Sequence, residues 1–156
     1  MKKILTVLLC FLMLLFPVGC ANNLDCQSLI SLPERLEDGT CGNMYNVQYN
    51  VYYPSEKAYA IYAEVNIKKY TYTLTQSSKQ VCIDFVCDCY IDYISERSQV
   101  FIFDVVAYTD TEIRIASTQV YGKGSVGETV RTEASLILDV ADVKDGVHIE
   151  FCDYNI

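Results

Sequence analysis

Val81 to Tyr93 alternates with period two over thirteen residues. The odd positions carry Val81, Ile83, Phe85, Cys87, Cys89, Ile91 and Tyr93, and the even ones Cys82, Asp84, Val86, Asp88, Tyr90 and Asp92. Side chains of a strand point alternately to its two faces, so the run predicts one long strand with an apolar face and an acidic face. Such a strand must have neighbours, and the sequence offers them. Tyr45–Tyr53 alternates, and Pro54-Ser55 ends it. Tyr59–Ile67 alternates again. After Lys68-Lys69 the apolar phase moves to Tyr70, Tyr72 and Leu74, which predicts a bulge or bend. Val100–Tyr108 is apolar on nearly both faces, as expected of an interior strand. Glu112–Ala116 pairs with it as a hairpin. Thr129–Val140, with Val130, Thr132, Ala134, Leu136 and Leu138 inward, and Val147–Tyr154 complete the set. About eight strands with regular turns predict an all-β, antiparallel β-sandwich. Before it, a short helix from Ser31 to about Asp38, ended by Gly39, is expected in an otherwise irregular segment.

The first residues set the address. Basic Met1-Lys2-Lys3, apolar Ile4–Phe16 and then Pro17-Val18-Gly19-Cys20 form the three-part pattern of an export signal. Val18, Gly19 and Cys20 resemble a bacterial lipobox, although Pro17 stands where an aliphatic residue is usual. The resemblance implies lipidation of Cys20 and an outward-facing membrane anchor; cleavage near Ala21 would instead give a secreted protein. The expected organisation is signal peptide 1–19, tether and irregular segment 20–43, and β-sandwich domain 44–156. Of the 12 basic residues Lys2 and Lys3 leave with the signal, so 10 face 20 acidic ones in the mature chain. That balance repels nucleic acid and anionic lipid, and no nucleic-acid partner is expected.

Of 8 cysteines, Cys10 lies in the signal and Cys20 in the lipobox. The remaining Cys26, Cys41, Cys82, Cys87, Cys89 and Cys152 are an even set in an exported chain, which predicts three disulfides. Cys87 and Cys89 share a strand face with poor bridging geometry, and Cys82 points the other way, so none of the three pairs with another. Cys152 is out of phase with Val147, Ile149 and Phe151, as Cys82 is out of phase with its own apolar set. Cys82–Cys152 between neighbouring strands is therefore expected, with Cys87 and Cys89 bridged to Cys26 and Cys41 in either order. A zinc site from Cys82, Cys87, Cys89 and His148 lacks a usual spacing, so no metal is expected.

Other motifs point to little chemistry. Gly122-Lys123-Gly124-Ser125-Val126-Gly127 matches G-x-G-x-x-G, but β-forming Thr129–Thr132 follows where dinucleotide binding needs a helix. Asp84, Asp88 and Asp92 lie about 13 Å apart in succession along an extended strand, too far to share a calcium ion. His148 is the single histidine and shares a face with Glu150. No catalytic constellation or cofactor is expected, and the chain is read as a non-enzyme. The 13 tyrosines are the stronger signal. Tyr45, Tyr49, Tyr53 and Tyr59 are in phase with apolar neighbours and are expected in the core. Tyr52, Tyr62 and Tyr90 are out of phase, and exposed tyrosines on a rigid sheet make good contact residues.

Phe103, Val105 and Tyr108 before Asp110, then Gly127-Glu128 ahead of a long amphipathic strand, give Val100–Phe151 a likeness to a known family. This segment resembles the back half of the immunoglobulin-like domains of small bacterial lipoproteins of the FxLYD kind, with Ala107-Tyr108-Thr109-Asp110 in place of the Leu-Tyr-Asp run. The resemblance implies an Ig-like sandwich serving as a cell-surface binding or structural module for an extracellular protein or glycan. The alternative is a secreted inhibitor or immunity-type protein that blocks an enzyme with the Gly122–Glu128 loop.

Overall fold

A computed structural model describes residues 24–156. The expected signal peptide 1–19 and the expected lipidation site Cys20 lie outside the described residues. Within them the fold is all-β, with eight strands: β1 (Ile30–Ser31), β2 (Asn46–Tyr53), β3 (Ala58–Gln76), β4 (Gln80–Ile94), β5 (Val100–Thr109), β6 (Arg114–Lys123), β7 (Thr129–Asp139) and β8 (Val147–Asn155). A 3-10 turn, Cys26–Leu29, and one helical turn, α1 (Val140–Val143), complete it.

The strands run in the order β6-β5-β8-β2-β3-β4-β7, with β1 added to β8. They form two layers. One holds β1, β8, β5 and β6; the other holds β2, β3, β4 and β7. The layers are joined where β8 meets β2, parallel, through Tyr49↔Tyr154 and Asn50↔Asn155. On the opposite side β6 and β7 approach within 8 Å, Cα to Cα, so the sandwich nearly closes on itself. The β1–β8 and β2–β8 pairings are parallel and the rest antiparallel, which makes the sheet mixed.

The anchoring strand is as long as its alternation implies. Val81, Ile83, Phe85, Cys87, Cys89 and Ile91 are all buried, while Asp84 and Asp92 face solvent. It lies between β3 and β7 over most of its length. The pattern is clean because both flanks are occupied and one face always meets the opposite layer. In β3 the register slips between Ile67 and Lys69, where the phase flip is. Ala63, Val65 and Ile67 are buried on one side of this bulge and Tyr70 on the other. β5 buries Phe101, Phe103, Val105, Val106 and Ala107, both faces of an interior strand.

Phe151 knits the layers. Its ring meets Tyr45 and Tyr70 at 5.3 Å between centroids, Phe103 at 6.0 Å and Phe85 at 6.3 Å, all edge-on. Each such pair is worth about 0.5–1.5 kcal/mol beyond the area it buries.

The N-terminal segment departs from expectation. The helix falls at Cys26–Leu29, and Ser31–Asp38 contains none. Tertiary pairing holds the segment extended: Ile30 and Ser31 pair with Val147 and His148, and the Tyr70 hydroxyl donates to the Pro33 carbonyl. Gly39 ends a turn, not a helix. Its φ is +88°, and a Cβ there would lie 2.5 Å from the Tyr70 carbonyl oxygen.

Candidate binding surface

The topology revises the cysteine framework. All six described cysteines are free thiols. Cys82–Cys152 required neighbouring strands, but β2 and β3 separate β4 from β8. Cys82 hydrogen-bonds outward to Asp84 at 3.6 Å, whereas Cys152 lies 3.7 Å from the Tyr108 hydroxyl on the other layer. Cys26 sits at the wrong end of β4 for Cys87 or Cys89. Its N–H donates to Gln76, which pairs with Val81, leaving about 20 Å of extended strand to Cys87. Cys41 pairs by its backbone with Lys68 on β3, so a strand lies between it and β4. In this arrangement the buried cysteines act as small apolar core residues. Burial pushes the Cys89 thiol up to about 12, and pushes Cys87 and Cys41 up as well. The four residues of the zinc alternative are dispersed: Cys82 faces outward, Cys87 and Cys89 inward, and His148 lies on β8. Among the described residues no group of three or more His, Cys, Asp or Glu could hold a metal ion.

The glycine loop is a strand connection. β7 follows it directly. Gly122 is packed on Phe101, where a Cβ would fall 2.1 Å from Cζ, and Gly127 has φ +86°. Gly127 N–H donates to the Ile91 carbonyl and Ile91 N–H to that of Glu128, which ties the loop to β4. Its tip, with Val126 exposed, borders a cleft of about 520 Å³ that also holds Glu96, Gln99 and Lys123. Of the acidic row, Asp84 accepts hydrogen bonds from Cys82 and Ser135.

A polar group occupies the outer face of β5 and β8. The Tyr108 ring stacks on His148 at 5.5 Å, and His148 Nε2 lies 3.7 Å from Glu112 and 3.8 Å from Glu150. Asp104 is buried beside Arg114 at 3.4 Å. Burial pushes Cys152 up, so its sulfur is held as a thiol and not as a nucleophilic thiolate.

Several tyrosines lie at the surface of the β2–β3 hairpin and the end of β4. Beyond Ala63, β3 loses β4, because their ladder begins at Ala63↔Ile94. From Asn50 to Ile61 the β2–β3 hairpin is therefore a ribbon. On one face Tyr52 (41% exposed) and Tyr59 (59% exposed) are directly paired, with ring centroids 5.1 Å apart, and Ile61 is exposed beside them. Tyr59 was expected in the core. Its phase is inward, but no opposing layer reaches that far. On the other face Tyr53, also expected in the core, is half-buried, and its hydroxyl hydrogen-bonds with that of Tyr62. That bond raises the Tyr62 pKa, followed by burial, while Arg97 opposes both.

The Tyr53–Tyr62 face continues along the outside of the layer. Tyr93 pairs with Glu64 and Tyr90 with Asn66, and Lys68 Nζ stands 5.4 Å from the Tyr90 centroid. Tyr93 belongs to the apolar phase of β4 by sequence. A register shift between Glu64 and Val65 turns it outward, 45% exposed. Of the three candidates, Tyr52 is exposed and Tyr62 and Tyr90 are half-buried. Tyr62 and Tyr90 share the outer face, and Tyr52 lies on the other. Comparison of the chain with family models, with curated proteins and with solved structures found no match.

Proposed function

We propose that this chain is an exported, lipid-anchored cell-surface module that binds an extracellular protein or glycan and carries no catalytic activity. The observation that supports it is the concentration of solvent-facing tyrosine at one end of one layer. Tyr52, Tyr59 and Tyr93 are exposed, and Tyr62 and Tyr90 are half-buried, on or beside a ribbon held by backbone pairing. Tyrosine brings contact area at small entropic cost, and Arg97 and Lys68 add cationic donors within a strongly acidic chain. The likeness to small bacterial lipoproteins and the Val18-Gly19-Cys20 motif support the anchor.

A pull-down from cell-surface extract tests the reading. Alanine at Tyr52, Tyr62 and Tyr90 together should abolish retention of the ligand while the chain stays folded, as read by circular dichroism at the temperature of the pull-down. Undiminished retention would reject it. Build-up of unprocessed precursor under a lipoprotein signal peptidase inhibitor tests the anchor. The exposed tip at Val126 beside its cleft favours the inhibitor alternative. That reading expects one enzyme retained stoichiometrically, and lost on Val126→Asp.

A further inference from the structure

We infer that the β2–β3 ribbon is a self-pairing edge, through which a second copy of this chain adds its own β3 antiparallel about a two-fold axis at Ala60. The inference starts from backbone direction. Tyr52 N–H donates to the Ile156 carbonyl and Ile156 N–H to that of Asn50, so Asn50 and Tyr52 turn their backbone groups away from β3. Backbone groups alternate along a strand. Val51 and Tyr53 are therefore the residues that bond to Ala60 and Ala58 across the ladder. On β3, Tyr59 and Ile61 must then direct N–H and C=O away from β2, toward the side that β4 has already left. Among the described residues no backbone group bonds to them there, and the first contact on that side is Ser95 N–H to the Tyr62 carbonyl.

Those outward groups match their own copies. With Ala60 on the axis, Tyr59 faces Ile61 of the second copy, and Ile61 faces its Tyr59. In an antiparallel hydrogen-bonded pair both residues exchange N–H and C=O, so every outward group on the two residues finds a partner. The axial pair, Ala60 with Ala60, is of the non-bonded kind, in which Cα atoms approach to about 4.5 Å. A small residue suits that position. Edge strands are ordinarily blunted by charge or proline. Here Ala58–Ala63 carries neither, between Lys57 and Glu64, in a chain of net charge −8. The pairing also places Tyr59 against Ile61 across the new seam, covering two exposed large hydrophobic side chains. It uses backbone groups of the edge, and its test reads self-association, not ligand retention.

Sedimentation equilibrium of the chain processed from its full-length precursor tests the inference. The wild type should show a concentration-dependent monomer–dimer equilibrium. Tyr59→Glu with Ile61→Glu sets like charges opposite each other twice and should raise the dimer dissociation constant about tenfold or more. Mixing that variant with Tyr59→Lys/Ile61→Lys should restore dimers, now of unlike chains. Ala60→Cys should crosslink to a covalent dimer under mild oxidation, and Tyr59→Cys, which has no cysteine opposite it, should not. A wild type that stays monomeric, a doubly acidic variant that dimerises as well as wild type, or an Ala60→Cys chain that fails to crosslink would each overturn it.

Discussion

Tyr59 and Tyr70 stand on the same strand, each in the inward phase of its local sequence, and meet opposite fates. Tyr70 is fully buried. Its hydroxyl donates to the Pro33 carbonyl, its ring lies 5.3 Å from Phe151, and Arg35 stands 5.1 Å from its centroid. Tyr59 is 59% exposed, with its ring 5.1 Å from that of Tyr52. The difference is the neighbours. Around Tyr70 the strand has β4 on one side, the Gly39–Cys41 segment on the other and a second layer beneath; around Tyr59 it has β2 alone. Phase states which way a side chain points, and topology decides whether anything is there to meet it.

The sharpest way to break this comparison is truncation at both ends. Phe85→Ala or Tyr70→Ala in the body should cost about 3–5 kcal/mol in denaturant unfolding. Tyr59→Ala should stay within about 0.5 kcal/mol, as surface substitutions do. Comparable losses at Tyr59 and Tyr70 would refute the ribbon as a solvent-facing element.

Alkaline titration probes the same body. Cys87 and Cys89 are raised by burial above the ordinary 9.0, with Cys89 at about 12. In the unfolded chain they ionise near 9, whereas in the fold they hold their protons. Above pH 9 the folded state therefore binds more protons than the unfolded one, and stability falls as pH rises toward 12. The expected slope is about 1.4 kcal/mol per pH unit for each group. Cys89→Ala should remove one group's share of the slope, while half-buried Cys82→Ala should leave most of it in place.

Smaller effects refine the picture. Gly122→Ala drives a methyl into the Phe101 ring and should cost about 1–3 kcal/mol. Tyr70→Phe leaves the Pro33 carbonyl without its donor, a loss of about 1 kcal/mol. Tyr53→Phe on the ribbon removes a hydroxyl pair that water can replace, and thermal melting should move least of all.

β4 was legible from its letters because neighbours flank nearly all of it, so local alternation and global packing agree. The bulge at Lys68 was legible for the same reason, as a change of phase within a covered strand. Tyr59 and Tyr93 were misread. One lies past the end of the opposite layer, and the other follows a register shift that no residue type announces. The cysteine pairing was misread at a higher level: faces were correctly opposed, but strand order was assumed, and β8 lies three places from β4. The 31–38 helix gave way to pairing with β8, a contact between segments more than a hundred residues apart. Of the three tyrosines singled out, Tyr62 and Tyr90 take the outward phase read from the sequence, whereas Tyr52 lies on the inward face beside Tyr59 and is exposed because no layer opposes it there.

The strand that joins the layers, β8, comes after all the others in the described chain yet lies between β5 and β2. As a polypeptide emerges N-terminus first, β2, β3 and β4 can zip as local hairpins, and β5 with β6 likewise. Neither subassembly can shut its apolar interior until residues 147–155 are delivered between them. Maturation is thus gated by a late, long-range insertion, the kind of step that slows β-rich chains and leaves half-built sheets open to association.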